Sequence, residues 1–245
     1  MNVLKRTLLA SAAAMLAASA ASAQVNYDVT TSQLTPNFTQ SLTISGTIAN
    51  YGPINQTSAA GLITLDTTTA GVLPTFCVDL FHDITIGGAY QYTQAPLTVD
   101  STGSIPGLTG NPLTATQVAE IYSLADVGVQ AYRAGTGTES EYVALQGAIW
   151  DIEYNNAGIG SSVTVTSTDS GINTAIGTWV AYAEANPLYS NGWSVIPGLN
   201  GQNPNGVYPG QALVTAPGPK VGEGLLGFVA MLALLIGVRY RGLFV

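Results

Sequence analysis

From Val25 to Val99 the chain alternates. In SLTISGTIANYG, AAGLITLDT and AYQYTQAPLTVD, β-branched and aromatic residues take turns with polar ones, and Gly, Pro and Asn break the runs. A period of two belongs to a strand with one face buried, so this part predicts short antiparallel strands. From Thr114 the period lengthens to that of a helix. Val118, Ile121, Tyr122 and Ala125 share one face, then Leu145, Ile149 and Ile152 share another. Each run starts with capping-box spacing, Thr114 with Gln117 and Thr138 with Glu141, which predicts two helices within 114–156. In DSGINTAIGTWVAYAEANP, residues Ile172, Ile176, Trp179 and Val180 line one face before Pro187 stops the pattern, giving a third helix over 169–186. The remainder, SNGWSVIPGLNGQNPNGVYPGQALVTAPGP, starts with a strand-like stretch and becomes rich in Gly, Pro and Asn over 197–220, the texture of a stalk. The expected fold is mainly β with a helical subdomain, an α+β domain over 24–196 with an antiparallel sheet or sandwich and about three helices.

Both ends read as addresses. The start, MNVLKRTLLASAAAMLAASAASAQ, has basic Lys5 and Arg6, an Ala- and Leu-rich run, and small residues at Ala21-Ser22-Ala23. This predicts a signal peptide over 1–23, handled by the Sec export machinery and signal peptidase. Near the other end an uncharged apolar run from Gly224 to Val238 is followed at once by Arg239 and Arg241. Such a run nearly crosses a hydrocarbon core as a helix, and the two arginines act as a membrane stop that holds its end in the cytoplasm. The expected layout is a transmembrane tail over 221–245 with the body outside the cytoplasm.

Pro217-Gly218-Pro219 and Val221-Gly222-Glu223-Gly224-Leu225 precede that run. Together with it they resemble the PEP-CTERM sorting signals of Gram-negative bacteria. The resemblance covers about the last thirty residues and is to the Pro-Gly-Pro variant of the motif. It implies recognition and removal of the tail by an exosortase, hence transient anchoring in the inner membrane and then release to the cell surface or extracellular matrix.

Setting the two addresses aside changes the charge picture. Between Gln24 and Pro219 lie about 196 residues, in which Arg133 is the single base against thirteen Asp and Glu, a net charge of −12. A surface of that sign repels nucleic acid, which excludes it as a partner. The carboxylates are scattered, with no Ca²⁺-loop spacing, and no cofactor or metal is expected. Asp151 and Glu153, with Glu139 and Glu141, offer carboxylates for a glycosidase pair, but carboxylates two apart on a helix diverge and read as solvated charges.

FCVDLFHD, residues 76–83, holds the chain's one cysteine and one histidine. In an oxidising compartment such a cysteine can be a small buried hydrophobe, pair between chains, bind metal, act as a nucleophile or form another covalent bond. Metal binding lacks convergent ligands. A cysteine hydrolase using His82 is the sharpest enzymatic alternative. However, if this stretch is a strand with Phe76, Val78 and Leu80 on one face, Cys77 and His82 point to opposite sides.

A different partner is suggested by Phe76-Cys77-Val78 taken together with Gln146-Gly147-Ala148-Ile149-Trp150. An aromatic-Cys-aliphatic strand and a Gln-x-Ala-aliphatic-Trp helix resemble the thioester domains of Gram-positive surface adhesins. The resemblance implies a bond from the Cys77 sulfur to the Gln146 side-chain carbonyl carbon that captures nucleophiles on a target, with Phe76, Phe81 and Trp150 as candidates to shield it from water. The function expected is therefore non-enzymatic: adhesion or surface attachment to surface glycans or amine-bearing proteins. A passive component of an extracellular polysaccharide matrix, with Cys77 inert in a core, is the alternative.

Overall fold

A computed structural model of the chain describes residues 26–35, 40–49, 52–68, 70–78, 80, 90–93, 95–96, 113–155, 161–189, 194–196 and 213–215. They form an α+β fold of two antiparallel sheets and three helices. Phe81, His82, the segment read as a signal peptide, the sorting motif from Pro217 to Gly224 and the arginines Arg239 and Arg241 lie outside the described residues. No helix among the described residues is long and apolar enough to cross a membrane.

The larger sheet has the order β6-β1-β4-β5-β10-β9-β7. Its strands are β1 (Asn26–Thr35), β4 (Leu62–Thr67), β5 (Gly71–Cys77), β6 (Tyr90–Thr93), β7 (Ala95–Pro96), β9 (Ser194–Ile196) and β10 (Leu213–Thr215). In β4 and β5 the burial is nearly continuous, from Leu62 to Leu65 and from Leu73 to Cys77, as expected of central strands covered on both faces. The smaller sheet places β2 (Ser41–Ile48) between β3 (Gly52–Ala59) and β8 (Ser162–Thr166). Here Leu42, Ile44 and Ile48 are buried while Thr43 reaches Thr57 across the strands, hydroxyl to hydroxyl, at 3.2 Å. Gly46 has φ +141°, and a Cβ there would run into the Ser162 carbonyl oxygen, so β2 and β8 can pair this closely only with glycine at that point.

The helices are α1 (Ala115–Ala134), α2 (Glu139–Tyr154) and α3 (Ser170–Ala185). Both expected capping boxes are formed: Gln117 N donates to Thr114 Oγ1 at 3.1 Å, and Glu141 N donates to Thr138 Oγ1 at 3.2 Å. Asp169 caps α3 by accepting from Gly171 N at 2.7 Å. Helix α2 is the centre of the molecule, buried at every position from Tyr142 to Trp150, and it packs on α1, α3 and strands of both sheets. A helix apolar on all sides must be enclosed, and YVALQGAIW has no charged side chain to hold a face in water. Gly147 makes the enclosure tight, since a Cβ there would come within 2.9 Å of Ile176 Cγ1 and 3.0 Å of Leu42 Cδ1.

Three expectations change. The stretch read as a stalk over 197–220 returns to the sheet at Leu213–Thr215, where all three residues are buried between β5 and β9. The alternating strand expected across 76–83 ends at Cys77, with Val78 outside any strand and β4, its neighbour on one side, beginning only at Leu62. Phe76, Cys77, Val78 and Leu80 are all buried, so alternation does not sort their side chains into an inner and an outer set. Glu153 is buried rather than solvated.

Candidate functional site

Cys77 is the last residue of β5 and Gln146 sits mid-way along α2, and the fold brings them together. The Cys77 N–H donates to Gln146 Oε1 at 2.8 Å, and Gln146 Nε2 donates to the Cys77 carbonyl oxygen at 2.8 Å. Both residues are buried, at 2% and 1% exposure, so this two-point contact forms away from water. Its place in the ladder explains it. The β4–β5 register pairs Ile63 with Thr75, which would set Gly61 opposite Cys77, but β4 starts at Leu62. On β5 the Pro74 carbonyl faces β10, accepting from Thr215 Oγ1 at 2.6 Å, so alternation turns the Cys77 peptide groups toward the β4 side. The Gln146 carboxamide occupies the position that β4 leaves vacant. It supplies the donor and acceptor that a buried strand residue requires.

One stripe of α2 continues the contact. Gln146, Trp150 and Tyr154 are spaced by four residues, about 6 Å of helix per step, while the chain leaving β5 advances beside them. Leu80 N donates to Tyr154 Oη at 3.1 Å, and Gln56 Nε2 donates to the Leu80 carbonyl at 3.0 Å. Side chains from α2 and β3 thus hold the peptide groups just past the cysteine. Tyr154 and Gln56 were not among the expected site residues; the i, i+4, i+8 spacing of Gln146, Trp150 and Tyr154 is the signal that could have found Tyr154.

Trp150, between Gln146 and Tyr154, is 1% exposed, and its Nε1–H has no hydrogen-bond partner among the described residues. Phe76 is fully buried against α1, where a Cβ on Gly128 would fall on its ring, and Leu145 packs on the same glycine. Phe76 and Trp150, expected as shields, are both buried, the first next to Cys77 in the chain and packed on α1, the second one turn of α2 beyond Gln146; Phe81 lies outside the described residues.

Strand geometry carries the Cys77 side chain out of the plane of the ladder hydrogen bonds, and the carboxamide of Gln146 lies in that ladder. Attack on an sp² amide carbon comes from outside the plane of its carboxamide. The Cys77 N–H already holds the oxygen on which charge would develop. Fixing two groups on rigid elements is the kind of arrangement that gives a reaction between them a large effective molarity. No group of three or more His, Cys, Asp or Glu able to hold a metal occurs among the described residues.

The carboxylates elsewhere serve the helices. Burial, and then the charge of Glu184, raises the carboxyl of Asp151 above its usual range, and the same two causes in the same order raise Glu120. These three groups come from α2, α3 and α1, so the acidic body concentrates some of its repulsion at one helix junction. An open cleft of about 430 Å³ lies at the start of α2 and α3, lined in part by Glu141, Asp169 and Trp179. Its two carboxylates each have an oxygen engaged in a helix cap.

The fold and site define an α+β domain with a buried cysteine-glutamine pair bridging a strand end and a central helix. Comparison with protein-family models, with curated proteins and with solved structures finds no match.

Proposed function

We propose that this is an exported surface or extracellular-matrix protein that attaches to its target covalently, through a thioester between Cys77 and Gln146. The observation that carries the reading is the pair of 2.8 Å hydrogen bonds holding the Gln146 carboxamide on the Cys77 backbone inside the core. In the proposed reaction the Cys77 sulfur bonds to Gln146 Cδ, the Cδ–Nε2 bond breaks, and the nitrogen leaves as ammonia with the thiol proton. An amine of a target protein or a hydroxyl of a surface glycan then adds to Cδ, displaces the sulfur and restores the Cys77 thiol. No cofactor enters and no turnover follows, which makes the protein an adhesin rather than an enzyme. Sec export, inner-membrane anchoring and an exosortase complete the proposed route, motivated by the two terminal segments. Intact mass spectrometry of the secreted form tests the bond: the mass is lower by one ammonia, and Cys77→Ala abolishes that deficit. Full titration of the Cys77 thiol in the folded protein would sink the proposal.

One observation favours the passive matrix role instead. The carboxamide already completes the sheet without reacting, so Gln146 has a structural task of its own. Methylamine separates the two readings, since it becomes attached at Gln146 in an adhesin with a thioester and is not incorporated in a passive component.

A further inference from the structure

Trp150 carries an N–H donor that is buried and unpartnered among the described residues. An orphaned buried donor is costly to a fold, which calls for an explanation. Position narrows the explanation. Trp150 lies one helical turn after Gln146, between two residues whose side chains bind the Cys77 and Leu80 peptide groups. Side chains on a helix lean toward its N-terminus, and for Trp150 that direction is the turn that bears Gln146.

We infer that the Trp150 indole N–H is the second donor to the Gln146 carbonyl oxygen when that oxygen becomes an oxyanion, the Cys77 N–H being the first. The inference rests on the thioester reading of the site. As sulfur adds to Cδ, the carbon becomes tetrahedral, and Oε1 gains a full negative charge and a third lone pair. Cys77 N–H satisfies one direction at 2.8 Å in the resting pair. A donor idle in the resting state and engaged in the tetrahedral state stabilises only the latter, which is the condition for acceleration. The same oxyanion recurs when an amine opens the thioester, so one donor serves both steps. Trp150 thereby acquires a role beyond excluding water.

The test is Trp150→Phe in the full exported chain, with methylamine incorporation at Gln146 followed by mass spectrometry. Phenylalanine keeps the packing and removes the donor, so aminolysis slows by about a hundredfold or more while the thermal midpoint holds or rises. Wild-type kinetics in a folded Trp150→Phe protein overturn the inference and leave the thioester standing. Absence of the mass deficit in the wild-type protein removes the thioester reading, and this inference with it. Should the variant fail to fold, replacing Trp150 by β-(3-benzothienyl)alanine, which keeps the bicyclic shape and lacks the N–H, decides: aminolysis slowed to the same extent supports the inference, and wild-type kinetics overturn it.

Discussion

Replacing Gln146 and Cys77 by alanine, one at a time, separates the structural work of the pair from its chemistry. Neither variant can form the thioester, so the difference between them is free of it. Cys77→Ala keeps both hydrogen bonds, because Gln146 binds the backbone of residue 77 and not its side chain. Gln146→Ala leaves a buried N–H and a buried carbonyl without partners, at about 1–3 kcal/mol each. It also withdraws one methylene from the core, about 0.8 kcal/mol. Against this stands about 1 kcal/mol for the sulfur lost in Cys77→Ala, so Gln146→Ala is the less stable variant by roughly 2–6 kcal/mol. Urea unfolding of the two variants, with the slopes compared, measures the difference. A gap under about 1 kcal/mol would refute the view that the carboxamide completes the ladder at Cys77. The wild type supplies a third point. If its thioester is intact, the cross-link between residues 69 apart adds about 4 kcal/mol in the chain-entropy account, and Cys77→Ala falls short of it by that amount plus the sulfur's share.

Gly128→Ala, a stabilising change in most helix interiors, should cost about 1–3 kcal/mol here, because its methyl group meets the Phe76 ring; thermal unfolding reads the sign. Tyr154→Phe removes the acceptor for the Leu80 N–H and should destabilise by about 1–3 kcal/mol, with faster amide exchange at Leu80 as the local signature. Asp151 and Glu120 have carboxyls raised in the folded state, so the folded state binds protons more readily than the unfolded chain does. Their contribution to stability grows as pH falls through the raised folded values and is complete below the ordinary carboxylate range. It is lost again as pH rises. Asp151→Asn should accordingly raise the thermal midpoint at pH 7 and flatten its pH dependence over that window; a lower midpoint at pH 7 would contradict the assignment.

The helices were legible because their signals are local. A threonine and a glutamine or glutamate three residues on suffice to mark Thr114 and Thr138 as caps, whatever lies across the molecule. The strands were harder in proportion to their dependence on partners. Ser162–Thr166 and Leu213–Thr215 are too short to announce themselves, and the second is set in a Gly- and Pro-rich stretch whose composition speaks for a loop. Gly52–Ala59 is a polar edge strand that owes its shape to pairing with β2. At 76–80 a period of two was the wrong guide, since burial on all sides removes the solvent face that produces it. The cysteine-glutamine partnership came from motif resemblance and not from spacing. Sixty-nine residues separate the two, and no local rule reaches across α1. That Gln146 grips the backbone of Cys77 was invisible until the sheet register showed where β4 stops.

Because one half of the pair ends a strand and the other rides the central helix, the two meet only when sheet, helix and the intervening segment have all taken their places. A chain threading outward in extended form has no such meeting, whatever residues it carries. Under the proposed function the domain keeps its own schedule: a thioester at Cys77 waits for folding, and folding of an exported chain waits for arrival.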